Sequence, residues 1–392
     1  MGYEIYNLKK NPFPRGGAII KPDSNEPTEN GKIFSINARQ KEIEDFEEKF
    51  LGIKTSFEDR QRCGFIWAEG DRTSGRGMGK TALAVYMKHK INEGFGVKNY
   101  PLNEKFFCVY VSFNQQMVAK IGLFFQEAIN ALIKDKKILK HLAENLTESE
   151  LIDEGISQKF ASAIVGNNMK QYFEDIVGHP LGQRITTKDW RYDNEFVSKF
   201  MNDLVICFQK VGFLGAVLII DDFENLTDKS TPKNVENFIK DFGIAFFRGD
   251  SRANDTNFYS VVITTHQQSA QKISLAWTVA GLSASFPLAS SGPSSVFTEK
   301  PNLEHCIDIV EQFLKFNRIK VDDSLPRYFP FTESAIKKVI EDCDFHPRRF
   351  LSQFSRIIIS ALGANIPEIN ELFVQTVEEG EDIEENPGIE DL

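Results

Sequence analysis

The stretch Ser74-Gly75-Arg76-Gly77-Met78-Gly79-Lys80-Thr81 constrains this chain more than any other. A short apolar run, Gly64 to Ala68, precedes it and suits a buried strand. Ala82-Leu83-Ala84-Val85-Tyr86-Met87 follows and suits the start of a helix. Strand, glycine-rich turn, Gly-Lys-Thr and helix is the setting of a P-loop. Glycines let successive backbone N–H groups turn toward one phosphate chain, and the helix N-terminus adds its positive end. Lys80 can reach the outer phosphates, and Thr81 can offer its hydroxyl to Mg²⁺. The nucleotide-binding set read here is Ser74 through Ala82, that is Ser74, Gly75, Arg76, Gly77, Met78, Gly79, Lys80, Thr81 and Ala82. The strict pattern has glycine where Ser74 stands, and Asp71, Arg72 and Thr73 make the approach longer and more polar than usual.

Gly215 to Glu224 is the second informative stretch. Its continuous apolar run suits a parallel strand covered on both faces. It ends in acidic residues at the carboxyl end of the strand, where doubly wound sheets place ligands. Asp221 is expected to hold Mg²⁺ through water, and Asp222 or Glu224 to orient the attacking water. Phe258 to Thr265 reads as a third buried strand with a polar end. Thr265 is the first candidate there for a γ-phosphate contact and His266 the second. A capping or surface role is the plainer reading of His266.

The rest of the chain sets these strands in order. Residues 1–34 are rich in Pro, Gly and Asn and read as irregular. Asn37 to Phe50 has helical spacing, with Asn37 as its expected N-cap. Lys105 to Phe113 reads as a strand. Residues 115–210 are mostly helical in pattern, more than one crossover needs, and so read as an insertion that carries partner specificity or enlarges the core. Ile273 to Leu288 is expected to contain a strand and a turn. From Asn302 the pattern is helical again, with Thr332 as an N-cap and Phe345-His346-Pro347-Arg348-Arg349 as a turn opening a helix. The tail from Glu378 is acidic and expected to be disordered.

The expected fold is therefore α/β, a P-loop NTPase core whose parallel sheet is flanked by helices, with a helical insertion and a C-terminal all-helical unit. The expected domains are 1–34, 35–300, 301–375 and a tail at 376–392. The formal net charge is −10, so a global basic footprint for nucleic acid is absent, and DNA would need a local patch. The five cysteines lie far apart with no Cys-x-x-Cys pair, which suits reduced thiols in the cytoplasm. No apolar stretch approaches the length that spans a bilayer, so no membrane partner is expected.

Gly-Lys-Thr after a strand, Ile219-Ile220-Asp221-Asp222, Ile263-Thr264-Thr265 and a late helical unit with His346-Pro347-Arg348-Arg349 occur in that order. The layout resembles the AAA+ ATPases, in particular the origin-recognition and initiator-like branch and related prokaryotic ATP-binding proteins. The resemblance spans about residues 35–365 and leaves 115–210 unmatched. It implies ATP and Mg²⁺ as cofactors, ATP hydrolysis, and a homo-oligomer or protein partners. It also makes the helical unit a lid and Arg348, with Arg349 beside it, the residue reaching the γ-phosphate. Two features depart from the family. No arginine lies between Arg252 and Arg318, where AAA+ rings supply a finger, leaving Lys272, Arg248 or Arg252 as substitutes. Asp222 replaces the commoner glutamate, as in the STAND signalling ATPases.

Overall fold

The computed structural model describes residues 2–14, 31, 33–53, 57–68, 77–93, 106–113, 117, 121–177, 194–228, 230–248, 257–320 and 324–384. Five strands form one sheet: β1 (Cys63–Ala68), β2 (Phe106–Ser112), β3 (Gly215–Asp221), β4 (Tyr259–Thr264) and β5 (Ser295–Thr298). Their order is β2-β3-β4-β1-β5. The pairs β2–β3, β3–β4 and β1–β4 are parallel, with Ser112 beside Asp221, Ile220 beside Ile263 and Phe65 beside Ile263. Every residue of β3 and β4 is buried, as expected of apolar parallel strands covered on both faces.

The helices that follow in chain order are α1 (Gln40–Phe46), α2 (Lys80–Glu93), α3 (Ile121–Lys134), α4 (Lys136–Asn145), α5 (Glu148–Asp153), α6 (Gln158–Val165), α7 (Met169–Val177), α8 (Asn194–Lys210), α9 (Asn225–Asp228), α10 (Pro232–Gly243), α11 (Gln267–Val279), α12 (Leu303–Phe316), α13 (Glu333–Asp342), α14 (Pro347–Gly363) and α15 (Glu371–Glu384). Several start where a side-chain oxygen can satisfy an orphan N–H. Thr332 accepts from Ala335 N at 3.2 Å, as expected, and Asn302 accepts from His305 N at 2.9 Å. Ahead of α1 the expectation fails. Ser35, not Asn37, caps this turn, its Oγ accepting from Ala38 N at 3.1 Å, and Asn37 lies inside a short 3₁₀ turn, Asn37–Arg39.

The chain divides into two compact units. One holds Met1–Ile43, Ala68–Tyr86 and Thr298–Leu392, and the other holds Glu44–Trp67 and Met87–Phe297. The second unit contains the sheet, apart from the strand ends Ala68 and Thr298, and one large apolar cluster. Residues from α3 to α8 belong to that cluster: Phe125 and Phe160 both meet Phe200 edge to face, at 5.3 and 5.1 Å between ring centroids. The 115–210 segment therefore enlarges the sheet's core.

The first unit has its own core, built on α12 to α15. Residues 2–14, expected to be irregular, contribute Tyr6, Leu8 and Phe13 to it. Phe13 stacks on Phe354 with centroids 5.2 Å apart, and the Tyr6 hydroxyl donates to the Ile366 carbonyl at 2.5 Å. Two further expectations are corrected. Ile273 to Leu288 contains no strand: α11 occupies its first half, because Ile273, Ala276, Trp277 and Ala280 recur at helical spacing and are buried. The acidic tail is helical as far as Glu384, since Phe373, Val374 and Val377 pack on the core of the first unit. Residues 385–392 lie outside the described residues.

The five cysteines are free. Burial pushes their thiols up, Cys207 and Cys306 to about 12 and Cys343 to about 11, so they are unreactive. Among the described residues no helix is long and apolar enough to cross a membrane.

Candidate nucleotide site

Gly77 to Thr81 forms the turn into α2, which starts at Lys80. Gly77 and Gly79 have φ of +89° and +96°, values that only glycine adopts without strain. The turn therefore needs glycine at these two places for backbone reasons alone. Lys80 is 8% exposed, while Thr81 and Ala82 are half-buried and Met78 is buried. Ser74, Gly75 and Arg76 lie outside the described residues.

Within the same unit, α14 presents its first turn to Gly77. A methyl group built on Gly77 would lie 2.6 Å from Arg348 Cβ and 2.7 Å from His346 Cε1. Helix α14 begins at Pro347, whose fixed φ suits a first helical position. That start puts Arg348 in the first turn, with Arg349 following it, and both side chains are exposed. The structure thus brings Gly77, His346 and Arg348 together. On another side of the turn, Arg39 donates to the Met78 carbonyl at 2.8 Å. No short sequence motif marks Arg39. Phe34 stacks on Tyr86 of α2 with centroids 4.4 Å apart.

The second unit holds the acidic end of β3. Asp221 is 1% exposed. Its two carboxylate oxygens each accept a hydroxyl, one from Tyr110 at 2.6 Å and one from Thr264 at 2.5 Å. Tyr110 stands two positions before Ser112 on β2, and Thr264 ends β4, so the neighbouring strands hold the carboxylate in one orientation. Burial pushes the Tyr110 phenol well up, and the adjacent Asp221 pushes it further, so it stays a neutral donor. Asp222 leaves the strand at a φ of +56°. Its N–H donates to Thr264 Oγ1 at 3.1 Å, and its carboxylate accepts from Ser112 Oγ at 3.0 Å. Glu224 is buried, at 7% exposed. The Thr265 hydroxyl is buried and has no hydrogen-bond partner among the described residues.

His266 is the N-cap of α11. Its Nδ1 accepts from Ser269 N at 3.2 Å, and Ser269 Oγ continues to Thr227 Oγ1 at 3.4 Å. The capping reading of His266 thus accounts for its place. Replacing His266 with alanine is expected to cost about 1 kcal/mol, and asparagine, a good cap, to restore most of it. Urea unfolding of the two variants checks this. Equal losses in both would assign the ring a role other than capping.

Of the cations considered as a finger, Lys272 pairs with Asp228 at 4.0 Å and Arg248 lies against Gly281. Arg252 lies outside the described residues. Among the described residues no group of three or more His, Cys, Asp or Glu could hold a metal by itself.

Most of the chain aligns with a solved protein. The structure of the Aeropyrum pernix ORC2 protein in its ADPNP-ADP complexes aligns with a TM-score of 0.50 and 11% identity, over 90% of this chain and 69% of that one. This is the fold of the origin-recognition AAA+ proteins. The ADP form of the same ORC2 protein aligns at a TM-score of 0.47 and 10% identity, over 96% of this chain and 72% of that one. Drosophila ORC bound to DNA aligns at 0.41 and 12%, over 86% and 60%. No protein-family model and no curated protein matches the sequence.

Proposed function

We propose that the chain is an ATPase of the AAA+ type that binds ATP with Mg²⁺, hydrolyses it slowly and uses it as a switch in a DNA transaction or genome defence. The observation that carries this reading is the Gly77–Lys80 turn, with two left-handed glycines ahead of α2 and Arg348 against Gly77. Lys80 and the N–H groups of the turn would bind the phosphates, and Thr81 and Asp221 would hold Mg²⁺. The ion would neutralise charge developing on the transferred phosphoryl group. The fixed Asp221 carboxylate suits this, since both its oxygens keep a lone pair beyond the hydroxyl that each accepts. Asp222 or Glu224 would orient the attacking water, and Thr265 would contact the γ-phosphate.

The AAA+ fold supports an ATP ligand, and the ORC2 protein that shares it was solved with ADPNP and ADP. The link to DNA rests on the resemblance to the origin-recognition and initiator-like branch. Asp222 in place of glutamate, and the lack of an arginine between Arg252 and Arg318, favour slow turnover and keep a second reading open: a STAND-like scaffold whose output is oligomerisation. Mass measurement with and without ATP, then with DNA, separates the two.

The lid residue supplies the sharper test. Arg348 as a γ-phosphate contact should serve ATP and not ADP. Arg348→Ala is therefore expected to lower ATP affinity about ten-fold, as for loss of a charge-assisted hydrogen bond, and to leave ADP affinity unchanged. Calorimetry with both nucleotides checks this. Equal losses would make Arg348 a structural residue.

A further inference from the structure

We propose that Arg39 is the positioning residue of the nucleotide turn, an inference that rests on reading Gly77–Thr81 as an ATP site. Arg39 is 5% exposed, and its guanidinium is spread over three partners within the first unit. Nη2 donates to the Met78 carbonyl at 2.8 Å. Nη1 donates to the Glu299 carbonyl at 2.7 Å and pairs with Glu42, itself 5% exposed, at 2.7 Å.

The contact with Met78 determines more than one bond. In a trans peptide the carbonyl and the following N–H point in opposite directions. Holding the Met78 carbonyl on Arg39 therefore turns the Gly79 N–H to the side away from Arg39. Gly79 is the residue before Lys80, at a φ of +96°, with no side chain to restrict its rotation. Its N–H is one of the donors that a P-loop turns toward phosphate. Without an external anchor that peptide plane is free to rotate, and the donor is lost when it does. The anchor is close on its other side as well: a methyl group on Gly79 would meet Arg39 Nη2 at 3.6 Å.

Arginine suits this task because its donors form a rigid planar fork, whereas lysine is a point charge on a flexible stem. Glu42 balances the charge, so a buried cation is tolerated at the turn. The third partner adds a consequence. Glu299 directly precedes the segment that opens α12, so one guanidinium anchors both the nucleotide turn and the root of the C-terminal helices.

The test uses the full chain and three measurements: calorimetric titration with Mg-ATP, the same with Mg-ADP, and thermal unfolding without nucleotide. Arg39→Lys keeps a cation beside Glu42 and loses the fork. It is expected to bind both ATP and ADP about ten-fold more weakly, with an unfolding temperature lowered no further than that of Glu42→Gln. Glu42→Gln keeps the bond to Met78. It is expected to unfold at a lower temperature and to keep both affinities. A structural ion pair alone would make affinity and unfolding temperature fall together in both variants, and that result would overturn the proposal. So would unchanged affinities in Arg39→Lys. If the unaltered chain bound neither nucleotide, the ATP reading itself would fail, and this inference with it.

Discussion

Lys80→Met is expected to weaken ATP binding by roughly a hundred-fold or more, the usual cost of removing one partner from a desolvated charge pair. Lys80 is 8% exposed, so methionine, which replaces its aliphatic stem, is a better choice than alanine for keeping the start of α2 packed. Isothermal titration with Mg-ATP reads the loss, and circular dichroism verifies that the helix content is unchanged. Unaltered affinity in a folded variant would remove the P-loop assignment and every role derived from it. The prediction differs from that for Arg348, because Lys80 should serve ATP and ADP alike.

Asp222→Asn is expected to leave ATP bound and to slow its cleavage by roughly a hundred-fold or more, the usual contribution of a positioned base. Binding should survive because Lys80, Thr81 and Asp221 are untouched. The substitution is structurally mild. Asparagine tolerates the left-handed backbone that Asp222 adopts, and its oxygen can still accept from Ser112 Oγ. Single-turnover hydrolysis, compared with Glu224→Gln, checks the assignment. Loss of cleavage in Glu224→Gln, with Asp222→Asn active, would transfer the water-orienting role to Glu224.

The parts of the fold that were legible in the sequence are those where one short stretch carries its own pattern. β1, β3 and β4 are short, mostly apolar runs, and α2 begins within Gly-Lys-Thr. Helix α11 was misread because its apolar residues are separated by Ser, Gln and Thr, and because Leu275 and Val279 are 74% and 64% exposed, which blurs its buried stripe. Between Glu378 and Glu384 acidic charge argues against order in the sequence, yet Phe373, Val374 and Val377 are enough to dock α15. Arg39 was illegible for another reason again. It meets Met78 and Glu299 at separations of 39 and 260 residues, and no local spacing reports a contact of that kind. The same holds for Tyr110, which fixes Asp221 from 111 residues away.

The core that gathers Tyr6, Leu8 and Phe13 around α12 to α15 sets an order of events during synthesis. These three residues leave the ribosome ahead of the second unit, and the helices that bury them leave after the whole of it. In that interval Glu44–Trp67 and Met87–Phe297 can collapse on their own contacts, while the early aromatic residues must wait with their apolar surface in water. Contacts as distant as Tyr6 with Ile366 form late and slowly, because the loop-closure entropy must be met before they give any return. The unit that carries the Gly77–Thr81 turn is thus completed after the second unit, once α14 and α15 have emerged.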